Sequence, residues 1–292
     1  MSDFAQFRLL WKSWLDLASA TLTASSEAGG DYVVGNLLDP DPDLVLRTAN
    51  ADPLVLTATL DKARPVNAAP FCAHNLSAGA TILTEVATDA GFTDIVMTQT
   101  DKAVKPTYGY GSWPGYGVMR YGGYDDEEGG WKWGYTPIWY ETSAFQRYVR
   151  WTITDPNNTA GYIQIGRLMA GKYWTANGGN FEWGYQFGWR RDARIPRSRD
   201  AAALIPSIKR AYRAGAVPFA WLTDTDLSTL HQIERELGAA GDVFWSAYPE
   251  RGGRVERDHT ALCVITDWDL PSQANAAQGV ASFNLEEIYD HG

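Results

Sequence analysis

The chain has 292 residues, 45% hydrophobic and 21% charged, which is enough apolar side chain to bury a core and rules out a disordered chain. Its length suits one large or two ordinary domains, and two are expected. A formal net charge of -10 with pI about 4.9 excludes a general phosphate-backbone binder, because that affinity comes from Lys and Arg.

No run reaches the roughly 18 to 20 uninterrupted apolar residues that a membrane span needs. The opening MSDFAQFRLLWKSWLDLA is broken by Arg8, Lys12 and Asp16, so neither a signal peptide nor an anchor is expected. Within residues 1–19, Phe7, Leu10, Trp11, Trp14, Leu15 and Ala18 recur at spacings of three and four, which predicts a short helix or arm. Trp11 and Trp14 are costly to leave in water, so this arm should pack on its own body or on a neighbouring subunit.

From about 20 to 100 short β-like runs (TLTAS, LVLRT, PLVLTATL, PFCAHNL, ATILTEVAT, DIVMTQT) are separated by Gly, Pro, Asp and Asn, the grammar of a sandwich or jelly roll. In PLVLTATL, Leu54, Leu56, Ala58 and Leu60 fall on one face, which is predicted to be core. Cys72 and Cys263 lie in strand-like runs and read as buried free thiols, consistent with synthesis in a reducing cytoplasm.

Residues 105–141 are dense in Gly, Tyr and Trp and read as an ordered loop, since a flexible linker would not carry so many large rings. Tyr108, Tyr110, Trp113, Tyr116, Trp131 and Trp133 are its candidate contact residues, for a protein interface or for the face of a sugar. FQRYVRWTIT and AGYIQIGRLMAGKYW, joined by DPNN, predict a hairpin closing a first domain that spans 20–174. The remaining 175–292 is predicted to be a smaller α+β domain. Its helix starts near Thr225, carries the stripe Leu227, Leu230, Ile233 and Leu237, and ends at Gly238. VFWSAY and TALCVITDW read as strands.

Taken together, NLLDPDPDLVLRT, PLVLTATLDKARPVNAAPFCAHNLSAGATI and YVRWTITDPNN followed by AGYIQIGRLMAGKYW resemble the galactose-binding-like, discoidin-type jelly roll of tail and baseplate proteins of long-tailed phages. The resemblance covers about half the chain. It implies a mainly β fold, a jelly-roll β-sandwich followed by the α+β domain. It also implies a distal or minor tail protein, part of the virion, made in the host cytoplasm, in a homo-oligomeric ring with other tail proteins.

No catalytic constellation stands out: the four histidines lack metal-ligand spacing, and no nucleophile elbow or phosphate loop occurs in context. No cofactor is expected. Asp39, Asp41 and Asp43 in DPDPD offer either a rigid turn or a structural calcium site. His74 reads as a turn residue bonding the HNLSAG backbone, or as a sugar contact. The acidic tip at 125–128 reads as solvated, or as a cation site or a patch that meets a basic neighbour. Arg190, Arg191, Arg194, Arg197 and Arg199 suit a subunit contact to carboxylates, because Arg pairs with them bidentately. The expected function is structural and non-enzymatic, a tail-tip subunit working through protein contacts. The alternative is a carbohydrate-binding module that attaches to a host glycan.

Overall fold

The computed structural model describes residues 6–50, 53–106, 119–120, 124–125, 134–191, 211–238, 241–275 and 278–288. In chain order come β1 (Arg8–Leu10), β2 (Thr21–Ala24), β3 (Leu46–Arg47), β4 (Leu54–Ala68), β5 (Phe71–Cys72), β6 (Thr81–Ala87) and β7 (Ile95–Lys102). There follow β8 (Met119–Arg120), β9 (Tyr124–Asp125), β10 (Tyr135–Thr136), β11 (Trp139–Thr154), β12 (Gln164–Ile165), β13 (Arg167–Leu168) and β14 (Gly188–Arg190). The chain continues with β15 (Tyr212–Leu222), α1 (Asp224–Leu237), β16 (Asp242–Ser246), α2 (Gly253–Asp258), β17 (Thr260–Asn275) and β18 (Gln278–Glu287). Two compact units result: residues up to Thr175 with Gly241–Leu262, and Ala176–Ala240 with Cys263–Tyr289.

The first unit is a jelly-roll β-sandwich. One sheet runs β2-β4-β11-β6-β7, all antiparallel, and smaller sheets run β10-β5-β13 and β12-β3. Strict alternation puts Leu54, Leu56, Ala58 and Leu60 of β4, and Val149, Trp151 and Ile153 of β11, on the buried face. Phe71 of β5 meets the Trp151 ring edge-on at 6.2 Å between centroids, which closes the core between the sheets. Each such large side chain contributes roughly 1.5–3 kcal/mol on burial.

Two expectations are corrected here. Residues 8–16 do not form an α-helix; they form β1 and a short 3-10 turn at Trp14–Asp16. The spacing is helical, but β1 pairs with β16, and Phe7 packs on Trp174 and Trp245, so tertiary pairing overrides local periodicity. The DPNN turn likewise joins no hairpin. β11 pairs with β4 and β6, while β12 and β13 pair with β3 and β5. The chain crosses between sheets after Thr154. Gly171 permits the next close approach, for a Cβ there would collide with the Lys12 carbonyl.

In the second unit β17, β18, β15 and β14 pair in that order, antiparallel. Helix α1 starts at a capping box in which Thr223 and Asp226 bond each other's backbone N–H. Leu230 and Ile233 are fully buried, and Gly238 caps the C-terminus with a positive φ. Asp226 also accepts from the backbone and side-chain N–H of Asn177. Buried Arg213 pairs with Glu287 across the β15–β18 ladder. Both cysteines are free and buried.

Candidate functional site

A polar cleft of about 400 Å³ opens on the first unit, lined by Thr98, Gln99, Asp101, Lys105, Pro137, Trp139 and Glu250. Three segments build it. The edge strand β7 supplies Thr98, Gln99 and Asp101, and the chain just beyond it supplies Lys105. The passage from β10 into β11 supplies Pro137 and Trp139. The turn after β16 supplies Glu250, held at φ 64.

The hydrogen-bond pattern sets what this cleft offers. Gln99 donates its Nε2 hydrogens to the Asp101 carboxylate at 2.9 Å and to the Trp139 carbonyl at 3.0 Å. Its Oε1 is thereby fixed in place as an acceptor. Burial lifts the Asp101 carboxyl above its ordinary range, against the opposing pull of the Gln99 hydrogen bond and the Lys105 charge. Lys105 donates to the buried Glu256 at 2.9 Å. Arg8 donates to Glu250 at 2.8 Å while its guanidinium lies 5.1 Å from the Trp139 ring centre and 4.9 Å from that of Tyr173. Trp139 is wedged edge-on against Tyr173 at 5.6 Å. Its Nε1 is buried and has no hydrogen-bond partner, although leaving such a donor unmade costs on the order of 1–3 kcal/mol.

No protein-family model matches the sequence, and no curated protein matches it. Several solved structures are similar to part of the chain. CBM32-3 from a family 31 glycoside hydrolase of Clostridium perfringens is 19% identical over 55% of this chain and 94% of that one, with a TM-score of 0.38. The family 32 CBM from C. perfringens NanJ in complex with galactose is 14% identical over 57% and 99%, with a TM-score of 0.36. A Ruminococcus gnavus GH29 fucosidase in complex with fucose is 13% identical over 56% of this chain and 27% of its own length, at a TM-score of 0.38. None of these three is a phage tail or baseplate protein.

The residues singled out from the sequence have mixed placements. Tyr108, Tyr110, Trp113, Tyr116, Trp131 and Trp133 lie outside the described residues, as do Arg194, Arg197 and Arg199. Lys105 and Pro137 of the cleft nevertheless belong to the ring-rich segment 105–141. Trp11 and Trp14 are half-buried on their own unit; Trp14 donates to the Pro65 carbonyl at 2.8 Å, with Arg64 over its ring at 4.8 Å. Arg190 and Arg191 are exposed.

Asp39 and Asp41 accept from the backbone N–H two residues on, at 2.9 and 3.0 Å, as in a chain of Asx turns. Among the described residues no group of three or more His, Cys, Asp or Glu side chains is arranged to hold a metal ion. His74 is buried: its Nδ1 accepts from Leu76 N–H at 3.3 Å, so its Nε2 donates to Thr136 at 2.7 Å. The ring thus bonds the HNLSAG backbone.

Sequence reasoning missed Gln99, Asp101, Trp139 and Glu250, which stand singly among ordinary strand and turn residues. The one available signal was position, since Trp139 lies inside the ring-rich segment and Asp101 just before it.

Proposed function

We propose that the protein is a carbohydrate-binding module that holds a neutral saccharide in the cleft of its sandwich unit. The observation that carries this reading is the mixed polar lining of the cleft. A carboxylate and an amide oxygen accept, while an ammonium donates. Sugar hydroxyls are donors and acceptors at once, so a polyol satisfies both kinds of group, whereas a simple anion or cation satisfies one. The volume of about 400 Å³ is at the small end for ligand sites, as a mono- or disaccharide requires.

The test is a glycan array followed by calorimetry with the full chain and its Asp101→Asn and Trp139→Phe variants. Saturable binding weakened by both substitutions is expected. An array without a hit, from protein whose fold is verified by circular dichroism, removes the reading.

A second reading, a structural subunit of a phage tail tip, is favoured by the surface of the other unit. Trp183 is 98% exposed and Trp189 48% exposed beside the exposed Arg190 and Arg191, a ring-and-guanidinium composition typical of protein interfaces. On this reading the chain forms a ring in the virion with other tail proteins, and the acidic 125–128 segment of a neighbour pairs with the arginines. Reversing the charge of Arg190 and Arg191 should then abolish rings in negative-stain images; unaltered assembly counts against it.

A further inference from the structure

We propose that Arg47 is the anchor of a second sugar subsite, one that takes the carboxylate of an acidic monosaccharide such as a hexuronic acid. Every other described buried or half-buried arginine is ion-paired: Arg8 with Glu250, Arg64 with Asp61, Arg150 with Glu85, Arg167 with Asp16 and Asp242, Arg213 with Glu287, and Arg257 with Asp258. Half-buried Arg47 is held instead by two aromatic rings and a neutral amide. Its guanidinium carbon lies 4.2 Å from the Tyr32 ring centre and 4.4 Å from that of Tyr162.

The strand pairing explains how this clamp is made. Arg47 of β3 stands directly opposite Gln164 of β12, and its Nε and Nη2 both donate to Gln164 Oε1, at 3.3 and 2.9 Å. Tyr162 precedes Gln164 by two residues and so falls on the same side. Asn75 locks that segment, donating to the Tyr162 carbonyl at 3.0 Å and accepting from Gln164 N–H at 2.8 Å. Asn36 pins the opposite loop to the carbonyls of Asp31 and Val45.

The plane of the guanidinium is therefore set from three sides. Its Nη1 hydrogens and the second hydrogen of Nη2 remain, the end-on fork that accepts a carboxylate through two parallel bonds. The two rings and the Gln164 amide already hold the cation in place, so the fork loses little further freedom on binding. A carboxylate is selected over a neutral hydroxyl because it alone neutralises the unpaired charge.

That the carboxylate belongs to a sugar rests on the carbohydrate-binding reading; that a carboxylate binds here rests on Arg47 alone. The experiment is calorimetry of the full chain against galacturonate, its uncharged methyl ester, neutral galactose and an aspartate-rich peptide, with Arg47→Lys and Asp101→Asn variants. Galacturonate is expected to bind at least tenfold more tightly than the ester. Arg47→Lys, which keeps the charge but not the fork, should remove that advantage, and Asp101→Asn should leave it intact. Comparing acid with ester on the unaltered chain keeps the test valid if Arg47→Lys fails to fold.

Equal affinity for acid and ester, no binding of galacturonate, or preference for the acidic peptide overturns the proposal. Galactose binding that is sensitive to Asp101→Asn, without any acid preference, overturns this subsite and leaves the cleft reading standing. The reverse pattern overturns the cleft and leaves the subsite.

Discussion

Arg167 and Asp242 lie 75 residues apart in the chain and are joined inside the first unit by a 2.8 Å bond from Nε to the carboxylate. The same guanidinium holds Asp16 through Nη1 and Nη2 at 2.8 and 2.7 Å, and reaches the Leu37 carbonyl at 3.2 Å. Its side chain is wholly buried, yet the two carboxylates keep its pKa above the ordinary arginine value against the cost of burial. One cation thus ties the N-terminal segment, β13 and β16 together.

Asp242→Ala strips Arg167 of a buried counter-charge and should cost about 3–5 kcal/mol, measured by urea denaturation. Adding Arg167→Met to that variant should recover part of the loss, because the uncompensated charge goes with it. A double variant less stable than Asp242→Ala would show that the guanidinium contributes more through packing than through charge.

His74 gives a pH dependence with a definite sign. Burial holds its ring at a pKa of about 4, against 6.5 for an ordinary histidine, despite the opposing pull of Asp155. Below pH 6.5 the unfolded chain takes up a proton that the folded chain refuses until about pH 4. Stability from this group is therefore full above that window and falls as pH drops through it, by about 3 kcal/mol in all. His74→Gln should show a flatter stability curve between pH 7 and 4.5; parallel curves would remove the ring as the cause.

At the cleft, the raised pKa of Asp101 means that its carboxylate gains a proton above the ordinary carboxylate range. Saccharide affinity should fall as pH drops through that region, since a protonated acid loses acceptor strength toward sugar hydroxyls. Asp101→Asn should bind weakly and without this pH dependence. Titrations from neutral pH down through the carboxylate range distinguish the two.

In the second unit, Thr223→Ala removes half of a capping box and should cost about 1 kcal/mol. Gly215→Ala is the harsher change, for its Cβ would overlap the Gln186 carbonyl. We expect that variant to lose the cooperative unfolding transition of this unit in circular dichroism, with Thr223→Ala merely shifted to lower temperature.

Strand alternation and the helix stop at Gly238 are local, and they were legible; the N-cap at Thr223 was not. The face of Leu54, Leu56, Ala58 and Leu60, the alternation around Trp151 and the stripe of α1 follow from the two-residue and 3.6-residue periods, which need no knowledge of partners. Sandwich strands announce themselves because each buries one face. The arm at 8–16 misled for the same reason: a helical period is local information, and the decision for a strand was made by β16, more than 230 residues away.

The clefts and clamps belong to the other category. Asp101, Trp139 and Glu250 carry no motif, and their meeting depends on which strands pair and where a turn falls. Arg47 looks like any arginine in a short strand until Tyr32, Tyr162 and Gln164 close around it. The sequence by itself determined a mainly β chain with buried thiols and a helix that stops at Gly238. The tertiary structure alone decided the polar cleft and the stacked guanidinium, because hydrogen bonds and ring contacts are short-ranged, and only folding brings such distant residues within their reach.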